Sequence, residues 1–232
     1  MKRKLVLFDI DGTILLTAGA GRRAILATMS EEVPDVTPMA RIRFDGKTDP
    51  QIVAEMLGMV GSPETRESER VQVICRRYVR HLARELESPS SRTTLMPGIL
   101  ELLDRLEEDE GVILGLLTGN VAEGAALKLR SGGIDPTRFR VGAYGSDAGD
   151  RPELPPIAAR RAIPFFGREP SGAQVVIIGD TPADIMCGSC ISARAIAVAT
   201  GSYSVTDLAA CAPHAVFENF CDTDRVLEAI LC

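Results

Sequence analysis

Leu5-Val6-Leu7-Phe8-Asp9-Ile10-Asp11-Gly12-Thr13 decides how the rest of this chain is read. Leu5–Phe8 is a short, unbroken apolar run, the pattern of a strand buried on both faces. Two acids follow at its end. If the strand conformation continues, carboxylates two residues apart point the same way. At about 4 Å and an effective dielectric near 20 they repel by ~4 kcal/mol. Such a pair calls for a cation or a proton between its members. A hard oxygen site with few carboxylates suits Mg²⁺, which keeps waters and accepts phosphate oxygens as ligands. The plainer reading is a strand-end Asp-Gly turn with solvated charge.

Further runs of the same kind occur at Val112–Leu117, Phe139–Ala143, Val175–Ile178 and Ala195–Val198. Helical patterns lie between most of them. One opens at Pro97-Gly98, one runs from near Val121 to Gly132-Gly133, one from Ile157 to Ile163, and one follows Thr181-Pro182. Strands alternating with helices predict an α/β, Rossmann-like parallel sheet covered on both faces. In such sheets ligands bind beyond the carboxyl ends of the strands. The stretch between the first two strands breaks the rhythm and is expected to be helical throughout. Thr48-Asp49-Pro50 starts a helix with Ile52, Val53, Met56, Leu57 and Val60 on one face. Val71, Ile74, Tyr78, Leu82 and Leu86 mark another. The expected division is a core of residues 1–16 and 93–232 with an all-helical cap domain, 17–92, inserted in it. Gly19-Ala20-Gly21, at the cap entrance, is expected to be a hinge rather than a nucleotide loop.

Two more strand ends carry polar motifs. Thr118-Gly119-Asn120 offers a hydroxyl and free N–H groups to an anion, or else caps a helix. Gly179-Asp180-Thr181-Pro182-Ala183-Asp184 brings two further acids. Asp180 at its strand tip can reach a shared metal, whereas Thr181-x-x-Asp184 is also a capping box.

Composition excludes several classes. The 232 residues are 45% hydrophobic and 25% charged with a net charge of −6, which suits a folded globular protein and argues against nucleic-acid binding. The basic start MKRKLVLF meets Asp9 too early for a secretory signal, and no apolar run is long enough to span a membrane. A cytoplasmic protein is expected. Cys187-x-x-Cys190 has no partner pair at zinc spacing and is expected to be two small apolar residues on one helix turn. With only two histidines, histidine chemistry is not expected.

Asp9–Thr13, Thr118 and Gly179–Asp184 resemble three of the four motifs of the haloacid dehalogenase superfamily. The helical insert and the Met96-Pro97-Gly98 re-entry resemble its phosphoglycolate-phosphatase-like branch with an α-helical cap. The resemblance covers essentially the whole chain. It implies a phosphatase acting on a small phosphorylated metabolite, with Asp9 as nucleophile and Asp11 as general acid–base. Gly12, Thr13, Thr118, Gly119 and Asn120 would hold the phosphoryl group. Mg²⁺ would bind Asp9, the Asp11 carbonyl and Asp180, with Asp184 supporting. The third motif usually supplies a lysine. Here Arg151 of Asp150-Arg151-Pro152-Glu153 occupies its place, and Lys128, expected on a solvated helix surface, is the rival. Arg22, Arg23 and Lys47 are candidate cap contacts to an anionic substrate. A sugar phosphomutase shares every core residue. A haloacid dehalogenase agrees less well with Asp11 and Thr118, a phosphonatase with the surroundings of Lys47, and a non-catalytic phosphate-binding regulator with the intact pair Asp9 and Asp11.

Overall fold

The computed structural model describes residues 3–88 and 92–232. Residues 1, 2 and 89–91, assigned above to the core's start and the cap's exit, lie outside the described residues. A six-stranded sheet forms the centre, with parallel neighbours throughout, in the order β5-β4-β1-β6-β7-β8. Its strands are β1 (Lys4–Phe8), β4 (Val112–Thr118), β5 (Val141–Tyr144), β6 (Val175–Gly179), β7 (Arg194–Val198) and β8 (Ala215–Phe217). β1 shows why the run is apolar without a break. Val6 and Phe8 enter a core with α4 (Ile99–Glu107), α5 (Ala122–Ser131) and α10 (Thr223–Leu231). Leu5 and Leu7 enter the opposite core, with α6 (Leu154–Arg161) and α8 (Pro182–Cys187). Side chains alternate across a strand, so a strand covered on both faces is apolar at every position. β1 pairs with β4 on one side and β6 on the other, and the strand order reverses there. The carboxyl ends of these three strands therefore meet at the switch point, where such sheets hold their ligands.

The chain leaves and re-enters the core through an antiparallel ribbon, β2 (Leu15–Leu16) against β3 (Thr94–Leu95). Beyond it lie α1 (Ala20–Ser30), α2 (Asp49–Met59) and α3 (Glu69–Glu87). Ile25, Met29, Ile52, Met56, Ile74 and Leu82 share a separate apolar cluster there, joined from the core by Val121. Thr48 and Ser68 cap α2 and α3, accepting from the N–H groups of Gln51 and Val71.

Several expectations need correction. The insert is not helical throughout. Residues 31–48 are loop broken by one 3-10 turn, Thr37–Arg41, in a stretch punctuated by Pro34, Pro38 and Gly46. Gly19 has φ 79°, but Ala20 and Gly21 already belong to α1. The third strand starts at Val141 rather than Phe139, because a 3-10 turn at Pro136–Arg138 delays it. The helix expected to reach Ile163 ends at Arg161, followed by a short α7 (Ile163–Phe166). Cys187 is buried, but Cys190 is exposed in the turn after α8, so the two do not share a packed face. A five-residue α9 (Val205–Ala209) precedes β8.

Candidate active site

Asp9 follows β1 directly, and its N–H still donates to the Ile178 carbonyl at 2.9 Å, which fixes it beside β6. Asp9, Asp180 and Asp184, all buried, bring one carboxylate oxygen each within 4.8 Å of the others. Glycines make this approach possible. A Cβ at Gly201 would fall 1.8 Å from Asp180 Oδ2, and one at Gly12, where φ is 84°, would fall 2.3 Å from it. Asp180 is further held by the Thr13 hydroxyl, which donates to Oδ1 at 2.9 Å. Asp184 has the capping role that its sequence allows and a partner that the sequence did not indicate. Its Oδ2 accepts from the Thr181 N–H at 3.0 Å and the Thr181 hydroxyl at 2.6 Å, completing a capping box, while Oδ1 pairs with Arg151.

Arg151 is buried in a 3-10 turn, with Nη2 at 3.2 Å from Asp9 Oδ1 and in contact with Asp184. Burial disfavours its charge, but the carboxylates of Asp184 and Asp9 outweigh that and hold its pKa above the ordinary value. Burial pushes Asp9 up to about 6; Arg151 opposes this, and the charges of Asp184 and Asp11 add to it. Asp180 is raised well above the ordinary range by burial and by Asp184 and Asp9. Three carboxylates thus face a single guanidinium. An all-oxygen, under-neutralised donor set of this kind fits a hard divalent cation such as Mg²⁺.

Asp11 lies past the end of β1 at Phe8, where the chain turns at Gly12, and its carboxylate stands outside the group formed by Asp9, Asp180 and Asp184. Instead the Lys128 ammonium reaches both Asp11 oxygens, at 2.8 and 2.6 Å, and the Asn120 amide donates to Asp11 Oδ2 at 2.7 Å. Lys128 is correspondingly 5% exposed, not the solvated surface lysine expected. Its position was open to helical periodicity, since Gly124, Ala125, Lys128 and Leu129 share the buried face of α5.

Thr118 is fully buried at the tip of β4, and its hydroxyl accepts from the Asn120 side chain at 2.8 Å. Neither residue caps α5, whose N-cap is Val121 with no side-chain bond. The loop 45–49 of the insert closes directly on this motif. Asp49 N–H donates to the Gly119 carbonyl at 2.8 Å, Val121 N–H donates to Asp49 Oδ2 at 2.8 Å, and the Thr48 hydroxyl donates to the Gly149 carbonyl at 2.6 Å. A Cβ at Gly119 would lie 2.1 Å from the Lys47 carbonyl oxygen. Burial pushes the Asp49 carboxyl up to about 6, against the attraction of Lys128 and the Val121 N–H. Nothing in the sequence pattern marks Asp49 apart from its place in a helix start.

Between insert and core these groups enclose a cavity of about 280 Å³ bordered by Asp9, Asp11, Thr118, Lys128, Arg151 and Asp180. Larger cavities of about 440 and 600 Å³ lie elsewhere and do not border Asp9. Of the expected cap contacts, Arg22 and Lys47 border the site cavity. Arg22 stacks on Phe44, 4.1 Å from the ring centre, and donates to the Ile42 carbonyl, while Lys47 pairs with Glu55. Arg23 instead pairs with Glu85 at 2.8 Å and donates to the Ala18 carbonyl.

Among curated proteins none matches the chain. Solved structures of similar fold include a hydrolase from Pseudomonas syringae, 18% identical with a TM-score of 0.71 over 98% of each chain. A predicted phosphoglycolate phosphatase from Haemophilus somnus is 21% identical with a TM-score of 0.68, over 98% of this chain and 99% of that one. CbbY from Rhodobacter sphaeroides, solved in complex with phosphate, is 16% identical with a TM-score of 0.70, over 95% and 96%. At these identities the likeness is one of fold. The profile of haloacid dehalogenase-like hydrolases matches residues 6–198, most of the sequence, and the chain belongs to that family.

Proposed function

We propose that the protein is a Mg²⁺-dependent phosphatase that hydrolyses a small phosphomonoester through an aspartyl-phosphate at Asp9. The observation that carries this reading is the meeting of Asp9, Asp180, Asp184 and Arg151 beside a cavity that Asp9, Asp180, Arg151 and Thr118 border. Asp9, Asp180 and Asp184, with the Asp11 carbonyl, would hold the cation, whose charge offsets the carboxylates and the phosphoryl oxygens. An Asp9 oxygen attacks phosphorus, the ester oxygen leaves, and water later cleaves the acyl phosphate. Arg151, beside Asp9, is the cation that meets charge developing on the phosphoryl group. Asp11 gives a proton to the leaving oxygen and takes one from the attacking water. The Thr118 hydroxyl, which accepts from Asn120 and keeps its own hydrogen, would face the phosphoryl oxygens, whereas the Gly12 and Thr13 N–H groups already donate to the Leu15 and Ile10 carbonyls. The insert acts as a lid that keeps bulk water out. Phosphoglycolate is the model ester the resemblance suggests. Six free thiols suit the reducing cytoplasm. Asp9→Asn should abolish turnover of a panel of phosphate esters with the thermal melt unchanged, and chelator should do the same to the wild type. Undiminished hydrolysis in either arm overturns the reading.

A further inference from the structure

Lys128 is a second buried cation in the site, for which phosphoryl transfer as described has no task. An ammonium has three N–H donors. Here one goes to each Asp11 oxygen and one to Asn120 Oδ1, at 2.8, 2.6 and 2.6 Å. No donor remains for a phosphoryl oxygen. Both amide hydrogens of Asn120 are also spent, on Asp11 Oδ2 and on the Thr118 hydroxyl. The result is a closed network, Lys128–Asp11–Asn120–Thr118, that ties a turn after β1 to the tip of β4. The Asp11 carboxylate needs such a tie. It lies beyond the strand, next to a glycine at positive φ, and its side chain is 40% exposed to the cavity.

The insert covers this network. Gly21 of α1 sits over the ammonium, where a Cβ would come within 3.6 Å of Nζ and 3.5 Å of the Tyr78 hydroxyl. Burying an ammonium costs several kcal/mol unless its donors are satisfied. Its retention at a buried position, with every donor directed at Asp11 and Asn120, indicates a task at those two residues.

We propose that Lys128, with Asn120, is a positioning residue that aims the Asp11 carboxyl at the leaving oxygen and then at the attacking water. The inference rests on the phosphatase reading and on Asp11 as its acid–base. It differs from that reading in its observable. A group acting through Asp11 matters only where a proton must move. The test compares wild type, Lys128→Met, Asp11→Asn and the double variant with Mg²⁺ on glycerol phosphate, whose leaving oxygen needs a proton, and on p-nitrophenyl phosphate, whose leaving oxygen does not. Lys128→Met should lower kcat on glycerol phosphate by about 10- to 100-fold, a fraction of what general acid–base catalysis contributes. On p-nitrophenyl phosphate it should keep a rapid first turnover and slow the steady state, because only phosphoenzyme hydrolysis then depends on Asp11. In the Asp11→Asn background Lys128→Met should add less than about twofold, as for two residues acting as one unit. Lys128→Gln, which can still donate to Asp11, should recover part of the loss, and thermal melts confirm that each variant is folded.

A first-turnover loss equal for both esters, a change confined to KM, or full additivity in the double variant overturns the proposal for Lys128. If Asp11→Asn itself leaves both esters unaffected, it is the acid–base role of Asp11 that has failed.

Discussion

Asp49→Asn exchanges a buried carboxyl for an amide of nearly the same shape, one that can still accept the Val121 N–H through Oδ1. The carboxyl rises from an ordinary 3.8 to about 6 on folding, chiefly through burial. Between those two values the folded protein holds a proton that the unfolded chain has released, so stability falls as pH rises through that window. Above it both states are ionised and the loss is complete. At about 1.36 kcal/mol per pH unit, the loss comes to ~3 kcal/mol at neutral pH. The amide has no charge to desolvate and avoids it. The variant should therefore match the wild type near pH 4 and exceed it increasingly up to pH 7. For a chain of this length ~3 kcal/mol corresponds to a Tm rise of about 6–12 °C. Urea titrations of both proteins at half-unit steps from pH 4 to 7 give the difference directly, because the titrations of Asp9 and Asp180 cancel between them. Equal stability at every pH would refute the reasoning. So would a less stable variant at pH 7, which would mean that attraction to Lys128 exceeds the cost of burial.

Arg151→Ala should lower turnover by roughly 10²–10³, the scale of removing one preorganised donor, and Arg151→Lys should recover only part, since a compact ammonium lacks the planar fork that can meet two phosphoryl oxygens at once. Gly201→Ala drives a methyl into Asp180 Oδ2 and should weaken apparent Mg²⁺ affinity by about tenfold or more while the fold persists, as calorimetry with Mg²⁺ would show. Arg22→Ala with Lys47→Ala should reorder a panel of phosphate esters differing in leaving group, with p-nitrophenyl phosphate the least affected; an unchanged order would place selection elsewhere.

The sheet was legible because a strand covered on both faces leaves an unbroken apolar run, as Leu5–Phe8 and Val175–Ile178 do. The acids at strand tips were legible for the same reason, since the end of a run locates Asp9 and Asp180. The capping role of Asp184 is visible in the spacing Thr181-x-x-Asp184. The partners of Asp11 were not. They depend on a turn at Gly12 and on a lysine 117 residues away, and a two-residue spacing no longer sets direction once the strand has ended. Lys128 was misjudged by its charge, although its helical face was readable. The 45–49 loop could not be placed over Gly119 from sequence, because that contact is made by backbone atoms, which every residue carries.

The ribbon of β2 and β3 has a mechanical consequence. It joins insert to core with two chain crossings held side by side, Leu15 against Leu95 and Leu16 against Thr94. A single crossing is a swivel with three rotational freedoms. Two crossings hydrogen-bonded into a strip resist bending within the strip's plane and torsion along it, and yield chiefly to folding about the axis that runs across the strip. As the lid proposed above, an insert suspended this way would travel along one arc. Each closure would then return the 45–49 loop to the same glycines, and a loop that docks on Gly119 would gain its aim from the neck rather than from its own stiffness.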